Sequence, residues 1–198
     1  MARNQTAGTL RAHPRGALPT LATLLLALLA GSCGGGNVPT RGDPTLIFSG
    51  ERIAPPGVHL RLGTGSHDQF LQLSVAVEGL EGAYAVEYDL HYPEELLALA
   101  GFSEGDYLRE GGRVATRLTV VEASPGVIHV EHTRVGDVGP APAQEPFVLE
   151  PTEIIEWNAH ANGTGSFTWS GNRVLDEDGA ELPGMSWSTG SVTIQGAG

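Results

Sequence analysis

His129-Val130-Glu131-His132 puts two imidazoles and a carboxylate within four residues, the types of side chain that hold metal ions. On a strand, alternate side chains point to opposite faces, so His129 and Glu131 share one face and His132 takes the other. Two ligands on one face do not complete a zinc site, so no metal is expected and the histidines read as solvated or internally satisfied. Asp176-Glu177-Asp178-Gly179 sets alternate carboxylates before a glycine, as some calcium loops do. The bidentate glutamate that should follow at fixed spacing is missing, and a tight hairpin turn is expected instead. Ser186, Ser188 and Ser191 have no nearby base. There is no nucleophile elbow, phosphate-cradling loop or zinc-protease helix. Carboxylates are too many for a glycosidase pair to be picked out by spacing. No catalytic residue and no cofactor are expected. Trp157, Trp169 and Trp187 leave one ligand chemistry open, the stacking of sugar rings on indole faces. Large aromatics more often fill a core or its rim.

The single cysteine, Cys33, excludes an internal disulfide and a Cys-rich metal scaffold. Its surroundings explain it. Residues 1–17 are polar, with Arg3, Arg11 and Arg15 and no acid, and residues 18–30 are apolar. At about 1.5 Å per residue the apolar run is too short to span a bilayer and reads as a secretory signal. It ends in Leu29-Ala30-Gly31-Ser32-Cys33, which resembles a bacterial lipobox, with Ala30 where that pattern usually has leucine. The resemblance implies a signal peptide over residues 1–32, cleavage before Cys33, and acylation of its thiol and amine. Two or three acyl chains hold a protein stably on a membrane. Residues 33–44, rich in Gly and Pro, have little to bury and read as a flexible tether. The expected location is the cell envelope, periplasmic or at the cell surface, with the membrane met only through lipid.

Charge follows the same boundary. All 23 acidic residues lie beyond Cys33 and there is no lysine; with eight of the 11 basic residues also beyond it, that part carries −15. Such a surface repels phosphate backbones, so nucleic acid is excluded as a partner. It suits a hydrated domain that stays soluble outside the cell.

The elements that must position these side chains are strands. Gly 28, Pro 13 and a hydrophobic content of 40% fit short strands joined by many turns. In residues 70–78, Leu71, Leu73, Val75 and Val77 alternate with Gln72, Ser74 and Ala76. In 83–92, Tyr84, Val86, Tyr88, Leu90 and Tyr92 alternate with Glu87, Asp89 and His91, and Pro93 ends the ladder. One helical turn is expected at 93–97 and a strand at 98–102. Further strands are expected at 114–121, 127–134, 147–159, 165–170 and 187–194, with a Pro-rich loop at 139–146. With 58–63 this makes nine, and the expectation for 45–198 is an all-β, two-sheet sandwich of jelly-roll topology.

The ordered series resembles the cohesin family. Its parts are Val58-His59-Leu60-Arg61-Leu62-Gly63, the 70–77 strand, and the 82–97 segment ending Tyr92-Pro93-Glu94-Glu95-Leu96-Leu97. Ser103-Glu104-Gly105-Asp106-Tyr107-Leu108, Gly126-Val127-Ile128-His129-Val130, the 174–183 turn and Gly190-Ser191-Val192-Thr193-Ile194 continue it, so that it covers residues 58–195. It departs from the family at Trp157-Asn158-Ala159-His160. The resemblance implies a nine-stranded sandwich, akin in shape to some carbohydrate-binding modules, that docks a protein through one sheet face. The implied partner is a dockerin, a small calcium-loaded helical module. The face would carry Glu87, Asp89, His91, Arg117, Thr119, His129, Glu131 and Thr133, a polar and net acidic patch suited to a polar or basic partner. The alternative on the same fold is polysaccharide binding through Trp157, Trp169 and Trp187.

Overall fold

The computed structural model describes residues 45–144 and 148–196. The signal peptide, Cys33 and the tether lie outside these residues. Eleven strands are present: β1 Thr45–Gly50, β2 Gly57–Leu62, β3 Phe70–Glu78, β4 Ala85–His91, β5 Leu97–Glu104, β6 Thr116–Ser124, β7 Val127–Arg134, β8 Glu150–Ala159, β9 Gly163–Leu175, β10 Ser186–Trp187 and β11 Gly190–Gln195. Among the described residues no helix occurs. The expected turn at 93–97 is a single one, in which the Pro93 carbonyl accepts from the amides of Leu96 and Leu97.

Two sheets form. The first runs β1-β11-β9-β4-β7-β6 and the second β10-β2-β3-β8-β5. All pairings are antiparallel except β10 on β2. The chain repeatedly crosses from one sheet to the other, as a jelly roll does, which lets residues far apart in sequence face each other across the core.

Alternation decides what is inside. Leu71, Leu73, Val75 and Val77 of β3 are buried and share one core with Val86, Tyr88 and Leu90 of β4, Ile128 and Val130 of β7, and Ile155 and Trp157 of β8. Each such side chain contributes about 1.5–3 kcal/mol by leaving water.

The count differs from nine for two local reasons. Residues 45–50, which the alternation does not mark as a strand, pair with β11 over six residues. The segment 187–194 is not continuous: Ser188 is buried and the chain passes at Ser188-Thr189 from the second sheet to the first, giving β10 and β11. β9 is also longer than the expected 165–170, because it carries a bulge.

Candidate functional site

The outer face of the first sheet is built by β9, β4, β7 and β6, whose registers place side chains in rows. Arg173, Glu87, Glu131 and Thr119 form one row, and Ser170, Asp89, His129 and Val121 the next. Arg117 stands opposite Thr133, and His91 opposite Thr168 and Val127. All eight residues expected on this face thus occupy one continuous surface. The β6–β7 hairpin is fixed by Gly126, whose φ of +75° belongs to the left-handed region that glycine enters freely. The Gly126 carbonyl accepts from the Tyr92 amide at 2.8 Å, tying the hairpin to the end of β4.

Two ionic arrangements hold the face in shape. His129 bridges two carboxylates, with Nδ1 2.7 Å from Asp89 Oδ1 and Nε2 3.3 Å from Glu131 Oε1. The hydrogen bond to Asp89 is the largest influence and raises the His129 pKa above its ordinary value, against a smaller opposing effect of burial. Arg173 donates from Nε to Glu87 Oε2 at 2.6 Å, and its Nη2 contacts the same oxygen. His91 Nε2 meets Ser170 Oγ at 2.8 Å.

Arg173 and Ser170 are absent from the face that the sequence predicts. They are three residues apart, and strict alternation would send them to opposite faces. Between them β9 sets Gly171 and Asn172 against the single residue Tyr88, and Gly171 has φ +59°. This bulge returns Arg173 to the outer face while Phe167 and Val174 both stay buried. Arg173 adds a second cation to the face, so Arg117 and Arg173 stand against Glu87, Asp89 and Glu131, and these five side chains together stay acidic by one charge. Acidity increases at the margin, where Glu87, Arg117, Glu131 and Thr133 share a shallow depression of about 430 Å³ with Asp176, Glu177 and Asp178. There Asp176 Oδ1 accepts from the amides of Asp178 and Ala180 at 3.0 and 2.8 Å, the turn expected from the sequence.

Beneath the face lies a second polar group. His132 points inward from β7, and its Nδ1 is 2.9 Å from Glu153 Oε1 on β8 of the opposite sheet. Glu153 Oε2 accepts from Tyr88 at 3.0 Å and from Thr152 Oγ1 at 2.6 Å. All four are buried. Burial, followed by the charge of Glu153, pushes the Tyr88 pKa well up. A substrate has no route to an enclosed group of this kind, which instead ties the two sheets together.

The tryptophans do not make a platform. Trp157 is 0% exposed, packed edge-on against Phe167 with centroids 5.4 Å apart. Trp169 and Trp187 are half-buried and meet each other at 5.1 Å and 66°, with Tyr88 against both. A sugar-stacking site needs flat, open ring faces in a row, so burial of the rings removes the geometry of that reading.

No protein-family model matches the sequence, and no curated protein matches it. Solved structures do. The chain is similar to CaCohA2 from Clostridium acetobutylicum, with 13% identity and a TM-score of 0.55 over 72% of this chain and 92% of that one. CaCohA2 in complex with CaDoc0917 gives 15% identity and a TM-score of 0.52 over 68% and 96%. A type II cohesin domain from the cellulosome of Acetivibrio cellulolyticus gives 12% identity and a TM-score of 0.51 over 69% and 92%. At these identities the likeness is one of architecture, and this two-sheet sandwich has the cohesin fold.

Proposed function

We propose that this chain is an exported, non-catalytic binding module, held at the cell envelope by lipid on Cys33, that docks a protein partner on the β4–β7–β6 face. The observation that carries the reading is the preordered state of that face. His129 and Arg173 fix three carboxylates on a rigid sheet before any partner arrives, which lowers the ordering cost of association. Support comes also from CaCohA2, a protein of like fold that is itself found in complex with CaDoc0917. The partner class that fits is a calcium-loaded helical module of dockerin type, with basic and hydroxyl groups for Glu87, Glu131 and Asp89.

Capture from lysate of the native organism tests the proposal, using wild type and the Glu87→Arg/Glu131→Arg variant with and without calcium. A helical partner recovered by wild type only with calcium, and lost from the variant, is expected. Equal recovery by both forms, or recovery unaffected by calcium chelation, would contradict the reading.

A further inference from the structure

Positive side chains are scarce in this protein, so the place where two of them gather without partners is informative. Among the described residues Arg109, Arg134 and Arg173 are paired with glutamates, and Arg113 donates to the Glu110 carbonyl. The side chains of Arg52, Arg61 and Arg117 have neither a hydrogen bond nor an ion pair, and of these Arg52 and Arg61 line one depression of about 470 Å³ between the end of β1 and β2. The close approach of the two strands there depends on Gly50, where a Cβ would stand 2.7 Å from the Leu60 carbonyl oxygen.

His59 lines the same depression. It is only 6% exposed. Its Nε2 stands 3.2 Å from Glu78 Oε2 but out of line for a hydrogen bond, so this nitrogen is buried with no hydrogen-bond partner. Such atoms are uncommon in native proteins and ask for an explanation. Burial lowers the His59 pKa, Glu78 opposes the shift, and the charges of Arg61 and Arg52 add to the lowering, which favours a neutral ring. The other acid on the rim, Glu51, is held by Thr189 through its hydroxyl at 2.9 Å. Phe48, Leu60 and Leu62 supply apolar wall.

We propose that this depression is a second ligand site, which takes a carboxylate carried on an apolar body. The guanidiniums of Arg52 and Arg61 receive the carboxylate, a geometry to which the arginine fork is suited, and His59 supplies a neutral N–H beside it. The apolar body lies against Phe48 and Leu62. A monoanion is preferred to a doubly charged phosphate because Glu51 and Glu78 on the same rim already offset the two arginines. β1 and β6 are opposite edges of the first sheet, so this site is separate from the docking face and does not depend on it.

Calorimetric titration of the full-length chain carrying Cys33→Ser tests the site, with octanoate as probe and 1-octanol and octyl phosphate for comparison. His59 ring resonances are followed in parallel by NMR. Octanoate is expected to bind saturably and shift the His59 signals, with affinity falling about tenfold in Arg52→Gln and in Arg61→Gln, the loss of one charge-assisted contact. Arg113→Gln is expected to bind as the parent does. Because Arg52 and Arg61 are exposed, their variants should keep the parent melting temperature, so a loss of binding is read separately from a loss of fold. Absence of saturation, equal affinity for octanol, tighter binding of octyl phosphate, or binding untouched by both arginine substitutions would overturn the proposal.

Discussion

Glu153 brings together Tyr88, Thr152 and His132 in a space without solvent, and its carboxylate accepts from the Tyr88 hydroxyl and meets His132 Nδ1 there. Removing one member of this buried group leaves the others unpaired, at about 1–3 kcal/mol for each stranded polar group, whereas replacing the whole group by apolar residues often costs little. Glu153→Leu should therefore lower the unfolding free energy by about that amount in urea titration, and Tyr88→Phe/His132→Leu/Glu153→Leu should recover most of it, since Thr152 keeps its bond to the Val75 carbonyl. A single-variant loss below about 1 kcal/mol would show that the group does not bind the sheets together. His129 gives a different expectation. Its pKa is raised in the folded state, chiefly by Asp89, so the stabilisation it provides is fully present below its unfolded pKa and is lost as pH rises through the folded value. An NMR titration should give a midpoint above the ordinary histidine value, and Asp89→Asn should move it down. An unmoved midpoint would remove the clamp. The Arg173–Glu87 pair is weaker, since Arg173 is 53% exposed. A double-mutant cycle should give a coupling of no more than about 1 kcal/mol.

At the scale of strands, the bulge in β9 decides what the outer face of the first sheet contains. Gly171 lies at φ +59°, where a β-branched side chain is strained by about 1–2 kcal/mol. Gly171→Val should destabilise the domain by roughly that amount and weaken the Arg173–Glu87 coupling; denaturation with the same cycle measures both. The bulge also marks the limit of sequence reading. β7 is legible to its bounds because residues 127–134 alternate without interruption, and β3 and β4 are legible over most of their length, the alternation lapsing where Ala76 and Ala85 are buried as well. In β9 the alternation stops at residue 170, which hides Arg173, because one extra residue reverses the phase of everything after it. Nor does alternation register the crossing at Ser188-Thr189, where the backbone changes sheet while the side-chain pattern continues. Glu153 is readable in principle: it keeps phase with Ile155, Trp157 and Ala159, all buried, so a carboxylate is due in the core. Its partner cannot be found this way, since the pairing of His132 with Glu153 crosses between sheets. For Trp157 the same phase argues for burial and against a sugar platform.

Taken whole, the chain divides its tasks among its parts. An apolar layer between sheets supplies stability, the outer side of β4, β7 and β6 offers ordered charges, and the leader with Cys33 is proposed to supply export and anchorage. The last of these has a direct test. Cells fed an alkyne palmitate analogue should label the wild-type chain and not Cys33→Ser, and equal labelling of both would remove the anchor. For the proposed docking face the most direct measurement is site-specific photo-crosslinking on native cells, with the photoreactive residue placed either at Thr119 on β6 or at Ser103 on the outer side of β5. The account predicts a crosslinked protein from position 119, diminished by calcium chelation, and none from position 103. Crosslinks of equal yield from both positions, or from 103 alone, would contradict it.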